Sequence, residues 1–171
     1  MHCVPKGTRA IPIAASHASH NKTFLTSFIS MLTQQECDFL HSRMKGTLIE
    51  ALGMRFIPTD DDYAVAEMPI STSTRQYLGI LHGGASISLA ETIAGVGSLH
   101  LTNYNTDYAV CGTEVSASHV AMSAKEGVVY GKARLIHAGK STHVWNVDIV
   151  GEDGQIISVE RVTNRIIKIN K

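Results

Sequence analysis

Residues 82–101 read HGGASISLAETIAGVGSLHL and are the most informative segment about the fold. Two glycines follow the first histidine, and almost every later side chain is small or apolar. From Gly84 onward, Glu91 is the only ionisable side chain before His100. A helix that is apolar nearly all round is typical of a buried helix, and burying a lone carboxylate is costly unless it is paired or protonated. The pattern predicts a buried helix over 84–101 whose single carboxylate has a functional reason.

The sequence after this helix indicates an antiparallel sheet. Strand-like runs lie at about 108–120, 127–137, 142–150 and 155–169. The third run is the clearest, because apolar residues alternate with polar ones: Trp145, Val147 and Ile149 against Asn146 and Asp148. Gly139 indicates a turn before this run, and the Glu-Asp-Gly sequence at 152–154 indicates a hairpin turn after it.

The sequence before the helix predicts one helix and two strands. Thr33 and Glu36 fit a capping box, and apolar residues then recur every three or four positions up to Gly53, which predicts a helix of about 20 residues. Strands follow from Met54 to Ile57 and around 63–70, with a turn at 58–62, and a loop over 71–81 leads to His82.

The fold class is therefore α+β, with the buried helix on one sheet face. One sheet does not cover such a helix, so we expect a second subunit against it.

Composition narrows the function classes. The 171 residues (18.5 kDa) suffice for one domain with a full core. Fifteen basic and 15 acidic residues balance, which argues against nucleic acid as the main partner. With 44% hydrophobic and 18% charged residues, the sequence is typical of a soluble globular protein, and no apolar run is long enough to cross a bilayer. We expect a poorly ordered N-terminal extension over 1–30 and one domain over 31–171.

The cysteines and the N-terminal histidines predict neither disulfides nor a metal site. Cys3, Cys37 and Cys111 are an odd number, lie far apart and form no C-x-x-C pair, which favours a reducing cytoplasm. The first 28 residues are too interrupted for a secretory signal. Possible metal ligands gather in this extension, where fixed geometry is not expected: His2, Cys3, His17 and His20.

Gly83 and Gly84 stand at the predicted helix start. The first amides of a helix lack internal partners and carry the positive end of its dipole, so glycines there let an oxyanion or a polarised carbonyl approach. The alternative is that the two glycines only permit a tight turn and close packing. The pair alone does not decide between these readings.

Glu91 supplies complementary chemistry, as an oxygen nucleophile or as a general base whose basicity is raised in an apolar site. The alternative is a buried Glu paired with a nearby Arg or Lys. The sequence contains no Arg or Lys between Gln76 and Lys125, which favours the functional reading.

Spacing then implies a shared site. Gly83 and Glu91 are eight residues apart, which is about 12 Å along a helix, whereas both must lie within roughly 3 to 4 Å of one reacting carbonyl. If both act on one substrate, the amide comes from one subunit and the carboxylate from its partner.

The sequence resembles the hotdog-fold acyl-CoA thioesterases. The resemblance is carried by RQYLGILHGGASISLAET at 75–92, by SHV at 118–120 with SAKEG at 123–127, and by HAGKST at 137–142 with VW at 144–145. It extends from about residue 33 to the C-terminus. It points to the branch that holds the phenylacetate-degradation type, the Glu-dependent 4-hydroxybenzoyl-CoA thioesterases and the 1,4-dihydroxy-2-naphthoyl-CoA thioesterases.

This resemblance implies a long helix wrapped by a curved antiparallel sheet, in homodimers and often homotetramers with active sites at the interface. It implies that the Gly83 amide polarises the thioester carbonyl while Glu91 of the other chain attacks it or activates water. Gln76 would hydrogen-bond near the thioester, and His82 would orient the loop or touch the substrate. Because the thiolate of coenzyme A leaves readily, no metal or separate cofactor is expected, and coenzyme A is part of the substrate.

One position departs from the family pattern. Many relatives place Ser or Thr one helical turn after the Glu, where this chain has Gly95. Thr92 or Ser98 could substitute, although neither has the same spacing. The missing hydroxyl bears on how the water or the carboxylate is held during hydrolysis, and not on the assignment to the thioesterase class.

Further contacts to the substrate are expected outside the helix. Lys140, Ser141 and Thr142 follow a turn glycine and could hold phosphate oxygens, as the family's loop does, or form only a solvated turn. His119 shares even spacing with Cys111 and Val115, which suggests one strand face lining the acyl pocket, although a hydrogen-bonded core histidine is equally compatible. Gly84 and Gly95 are included among the substrate-binding positions.

Three functions remain open from the sequence. The leading hypothesis is an acyl-CoA thioesterase acting on aromatic acyl groups such as 1,4-dihydroxy-2-naphthoyl-CoA. A hotdog hydratase or dehydratase is disfavoured, since those enzymes usually pair a catalytic His with an acid in a different motif. The third is a noncatalytic acyl-CoA binding or sensing protein, which Gly95 keeps open.

Overall fold

One long helix lies on a six-stranded antiparallel sheet in the computed structural model, which describes residues 32–59 and 64–169. The elements in chain order are α1 (Gln34–Ser42), α2 (Leu48–Ala51), β1 (Arg55–Ile57), β2 (Ala64–Pro69), α3 (Gly83–Leu101), β3 (Tyr108–His119), β4 (Val128–Ala138), β5 (Thr142–Val150) and β6 (Ile156–Lys168). The strand order is β1-β2-β4-β5-β6-β3. The predicted α+β class is confirmed.

Some expectations lie outside the described residues. These are the N-terminal extension over 1–30, the possible ligands His2, Cys3, His17 and His20, and part of the turn between β1 and β2. No helix within 32–59 and 64–169 is long and apolar enough to cross a membrane.

Helix α3 packs on the sheet through small contact residues. Leu89 and Ile93 are fully buried and lie over Gly131 of β4, where a Cβ would collide with both side chains. At Gly97, an added Cβ would lie 2.6 Å from the Trp145 ring of β5. The helix can therefore approach the sheet closely because glycine stands on one side of each contact.

The opposite face of α3 is uncovered in the single chain, so Glu91 is exposed there and the sheet alone does not bury it. Gly84 and Glu91 are exposed, and Ile87 and Gly95 on the same side are half-buried. The physical reason is that Glu91 lies toward β3, which is an edge strand with no further strand beside it.

The first predicted helix is divided in two. The capping box is present: the Thr33 amide donates to Glu36 Oε2 at 2.8 Å, and the Glu36 amide donates to Thr33 Oγ1. Helix α1 nevertheless ends at Ser42, because Gly46 adopts a left-handed φ of +75° and turns the chain before α2 begins. Gly53, with φ +68°, ends α2 where the sequence predicts a stop.

The strand predictions are confirmed within one or two residues, and the hairpins β4–β5 and β5–β6 form as expected. Strand β3 pairs with β6 and not with β4, which follows it in the chain. A bulge between Gly112 and Glu114 shifts its register. An inserted residue reverses the faces of the strand on either side of it.

Candidate active site

The start of α3 presents one free backbone donor. His82 is the N-cap, and its Nδ1 accepts a hydrogen bond of 2.8 Å from the Gly84 amide. Among the described residues, no acceptor is found for the Gly83 amide. The positive helix end therefore offers the amide of Gly83, while that of Gly84 is occupied by His82.

A tightly bonded loop brings Gln76 to this helix end. The Gln76 amide donates to the carbonyl of Ile80 at 2.9 Å, and the Gly79 amide donates back to Gln76 at 2.8 Å. Gly79 closes this turn with φ +82°. The buried Thr74 fixes the loop base by donating to the carbonyl of Pro69 at 2.7 Å. These hydrogen bonds of the loop fix the backbone of Gln76 near the start of α3.

Three of the predicted site residues line one cleft of about 570 Å³. They are Gln76, Gly83 and His119. The cleft wall also contains residues that sequence reasoning did not single out: Ile80, Leu81, Ser86, Val120, Ala121, Met122, Ser123 and Ile157. The Leu81 amide donates to Ser123 Oγ at 2.8 Å, which ties the two sides of the cleft together.

His119 stands beside the free amide. An added Cβ at Gly83 would lie 2.6 Å from His119 Nε2, so the imidazole packs directly over this glycine. His119 is exposed, so the reading of it as a core histidine is wrong. Val115 shares its face as predicted, but the β3 bulge turns Cys111 to the other face, where it pairs with Arg165 and away from the acyl pocket.

Glu91 lies two helical turns from the cleft, about 12 Å along α3 from Gly83. Its carboxylate packs over Gly112 of β3, and a Cβ at Gly112 would collide with it. Within one chain, therefore, the structure does not bring Glu91 to the Gly83 amide. Gly112 was not singled out by the sequence, and no local signal distinguishes it from other strand glycines.

A second, apolar groove of about 380 Å³ lies against the C-terminal half of α3, where Val96 and Leu99 line it. We call it the aromatic groove; it is lined by Phe39, Leu40, Arg43, Met44, Ile49, Phe56, Val96, Leu99, Tyr104, Asn105, Thr106 and Tyr108. Leu99 follows Glu91 and Gly95 on the same face of α3, at helical intervals of four. At Gly95 an added Cβ would meet nothing within 4 Å, so this position opens into free space.

The structure separates the two candidate substitutes for the missing hydroxyl at position 95. Ser98 Oγ is fully buried and accepts hydrogen bonds from Trp145 Nε1 at 2.9 Å and from Asn164 Nδ2 at 3.0 Å. It is therefore committed to the core and does not substitute. Thr92 is half-buried next to Glu91 and remains a candidate.

The predicted phosphate loop lies apart from the cleft, at the tip of the β4–β5 hairpin. Lys140 and Ser141 are exposed, and the turn is closed by a hydrogen bond of 2.8 Å from the Gly139 amide to the Thr142 carbonyl. Arg165, which the sequence analysis missed, donates to Thr142 Oγ1 at 3.3 Å. Lys140 of the loop and Arg165 of β6 thus place two cations at one end of the sheet, near Gly112 of β3, over which Glu91 packs.

No cluster of three or more His, Cys, Asp or Glu residues is placed to hold a metal ion in the part of the chain that the structure describes. Cys37 is buried and Cys111 exposed, and both are free thiols.

Comparison with known proteins identifies the family. A family model described as the thioesterase superfamily matches residues 78–158. The 1,4-dihydroxy-2-naphthoyl-CoA hydrolase of Escherichia coli is 37% identical over 128 residues, 75% of this chain and 92% of that protein. The proofreading thioesterase EntH of Cronobacter turicensis is 36% identical over 127 residues, 74% of this chain and 90% of that protein.

Solved structures agree with this result. A mutant thioesterase from Pseudomonas aeruginosa superposes with a TM-score of 0.75 at 32% identity, over 81% of this chain and 99% of that one. A thioesterase from Haemophilus influenzae gives a TM-score of 0.73 at 28% identity, over 79% and 92%. The chain belongs to the thioesterase superfamily and is a thioester hydrolase with the hotdog fold.

Proposed function

We propose that this protein hydrolyses the thioester of an aromatic acyl-CoA, of which 1,4-dihydroxy-2-naphthoyl-CoA is the leading candidate, to the free acid and coenzyme A. The observation that carries the proposal is the free Gly83 amide, set at a helix start in a cleft with Gln76 and His119. A donor fixed at the positive end of a helix suits the developing oxyanion of thioester hydrolysis. The similarity to the Escherichia coli hydrolase supports the substrate.

We further propose that each active site is shared by two chains. Gly83 and Glu91 are too far apart on one helix to meet a single carbonyl. The uncovered face of α3 and the free outer edge of β3 offer a second copy a surface to cover. In a two-fold dimer, the Glu91 of one chain faces the Gly83 amide of the other, and two equivalent sites result. A homodimer is the minimum assembly, and a homotetramer is compatible with it.

The proposed chemistry is divided between the two chains that share the site. The Gly83 amide polarises the carbonyl, and Gln76 donates a hydrogen bond near the thioester. In one route Glu91 of the partner chain attacks the carbonyl carbon, coenzyme A leaves as a thiolate, and water hydrolyses the anhydride that has formed; in the other, Glu91 takes a proton from the water that attacks the carbonyl carbon, and coenzyme A leaves as a thiolate. His82 holds the helix start in place through the Gly84 amide, which leaves Gly83 free.

The aromatic groove is the proposed site for the acyl group. It contacts α3 at Val96 and at Leu99, which lies about two helical turns beyond Glu91 on the same face, and its volume of about 380 Å³ lies within the usual range of small-molecule pockets. Rings from Phe39, Phe56 and Tyr104 line it, which favours a flat aromatic acyl group over a short aliphatic one. At the hairpin tip, Lys140 and Arg165 are the proposed partners for the phosphates of coenzyme A, with the hydroxyls of Ser141 and Thr142.

The test is thiol release from a panel of aromatic and aliphatic acyl-CoAs, comparing wild type with Glu91→Gln. We expect aromatic esters to be preferred and kcat to fall at least about 100-fold in the variant. Glu126→Gln is the control, because it removes an equal charge from an exposed residue outside both pockets that form the proposed site. Full activity in Glu91→Gln would contradict the mechanism.

Two other outcomes are informative. Preference for aliphatic esters would refute the substrate class and leave the catalytic proposal standing. Binding of acyl-CoA without thiol release from any ester would instead favour the noncatalytic function, and the missing hydroxyl at Gly95 would then explain the lack of hydrolysis.

We propose a cytoplasmic location, in keeping with the free thiols of Cys37 and Cys111.

A further inference from the structure

Helix α1 forms the outer wall of the aromatic groove. Phe39 is 44% exposed and lines the groove. Its ring meets that of Tyr104 edge-on, with centroids 6.0 Å apart, and the Arg43 guanidinium carbon lies over the ring, 4.8 Å from its centroid. The wall is therefore an aromatic pair built from two distant parts of the chain.

Two contacts attach α1 to the rest of the molecule. At its C-terminal end, His41 Nε2 accepts a hydrogen bond of 3.0 Å from the Phe56 amide of β1. Near its N-terminal end, Glu36 Oε1 lies 2.9 Å from Nδ1 of His100, in the last turn of α3. The side chains of Glu36 and His100 are only 24% and 16% exposed, so this contact is better shielded than an ordinary surface pair.

Glu36 is held in place from both sides. Burial by itself would raise the pKa of Glu36, but hydrogen bonds from Thr33 and the facing His100 lower it below its ordinary value. The same carboxylate therefore caps α1 and joins it to α3.

The opposite side of the wall is held in an unusual backbone conformation. Asn103 and Tyr104 follow α3 with φ of +53° and +52°. Left-handed backbone is costly for a bulky residue such as Tyr and persists only where surrounding contacts fix it. His100 meets the Tyr104 ring edge-on at 5.9 Å, so one imidazole contacts both Glu36 and Tyr104.

We propose that Glu36 and His100 form a clamp that fixes the Phe39–Tyr104 wall and thereby makes the enzyme selective for large aromatic acyl groups. Both are positioning residues, because they act on the groove through Phe39 and Tyr104. This proposal rests on the proposed function, which assigns the aromatic groove to the acyl group of the substrate. It adds that selectivity depends on a contact outside the groove, between the first helix and the end of the central one.

The test compares acyl groups of different size in Glu36→Gln. Glutamine still completes a capping box, so α1 keeps its cap while the contact between the Glu36 carboxylate and His100 Nδ1 is lost. We expect KM for 2-naphthoyl-CoA to rise about 5- to 10-fold with kcat within about twofold, and both constants for butyryl-CoA to stay unchanged. His100→Asn should give the same selective loss, and the double variant no more than either single one, because the two residues act as one unit.

A matched control and a direct variant make the result specific. Glu67→Gln removes the same charge from a pair with Arg55, 3.8 Å apart on β1 and β2; neither residue lines the groove, and the variant should change nothing. Phe39→Ala removes the wall itself and should reproduce the loss of aromatic selectivity. Equal losses for naphthoyl and butyryl esters, or none for either, would overturn the clamp.

Binding of 2-naphthoate, measured by calorimetry, separates this proposal from the proposed function. If wild type cleaves no acyl-CoA, the proposed function fails, yet weaker naphthoate binding in Glu36→Gln and Phe39→Ala than in wild type and Glu67→Gln would still support the clamp. Naphthoate binding of equal strength in all four proteins, or binding to none, would refute it.

Discussion

At the scale of single residues, Glu160 is the most unusual group in the core. It is 1% exposed on β6, its Oε1 accepts a hydrogen bond of 3.0 Å from Ser158, and its Oε2 has no partner among the described residues. Its register neighbours are Ala117 and Val147, which carry no charge. Burial raises the pKa of Glu160 to about 7, against a small opposing effect of the Ser158 hydrogen bond.

This residue should make stability depend on pH. Because the folded-state pKa lies above the ordinary 4.5, the folded protein keeps the proton that the unfolded chain releases. The free energy of unfolding should therefore fall as pH rises from about 4.5 to about 7, by about 3 kcal/mol in total. Glu160→Gln, which stays neutral, should resemble wild type near pH 5 and be more stable at pH 8. Urea unfolding at both pH values checks this, and parallel pH profiles for the two proteins would contradict it.

Gly95 and Gly97, both on α3, allow a matched pair of glycine-to-serine substitutions. An added Cβ at Gly95 meets nothing within 4 Å, whereas at Gly97 it would lie 2.6 Å from Trp145. Gly95→Ser should stabilise the helix by roughly 0.5 kcal/mol and, if a hydroxyl there holds the attacking water, raise kcat for thiol release. Gly97→Ser should lower Tm sharply. An unchanged kcat in Gly95→Ser would show that hydrolysis here does not depend on that hydroxyl.

At the scale of elements, Ser98 joins α3 to two strands. Its hydroxyl oxygen accepts from Trp145 of β5 and from Asn164 of β6, and all three side chains are buried. Ser98→Ala would leave two buried donors unpaired and should lower the free energy of unfolding by about 2 to 4 kcal/mol. Ser88→Ala, at a half-buried position on the same helix, is the control and should change stability little. Equal stability of the two variants, measured by chemical denaturation, would show that the network contributes nothing.

The elements also show where sequence patterns suffice. Alternation and turn residues predict β4, β5 and β6 almost to the residue, because each strand pairs with its neighbour in the chain. The bulge in β3 is set by pairing with β6, about 50 residues later, and no local pattern in the sequence predicts it. It reverses the face of Cys111, which is why even spacing placed this residue wrongly beside His119.

At the scale of the whole molecule, the shared active site is testable by mixing subunits. Gly83→Val and Glu91→Gln should each be inactive alone, the first because its side chain would collide with His119. In a mixed dimer, one site combines the intact Gly83 of one chain with the intact Glu91 of the other. Random co-assembly should therefore restore about a quarter of the wild-type rate of thiol release. No recovery, in mixed dimers confirmed by differential tags, would mean that both groups act within one chain.

The local features of the chain, and the chemistry that they allow, can be read directly from its sequence. The capping box of α1, the apolar character of α3, the glycine pair at its start and the lone Glu91 are all written in residues close together along the chain. Helix geometry alone showed that Gly83 and Glu91 cannot meet within one chain. The resemblance carried by residues 75–92 led to the family that the comparisons confirm.

Which distant residues share a surface is set by the tertiary structure. It joined Gln76, Gly83 and His119 in one cleft, built the aromatic groove from α1 and the segment after α3, and placed Glu91 over Gly112. These neighbours come together through strand order and helix packing, which depend on contacts between residues far apart in the chain. Sequence periodicity reports which face of an element is apolar, and the partner of that face is fixed only when the whole sheet has formed.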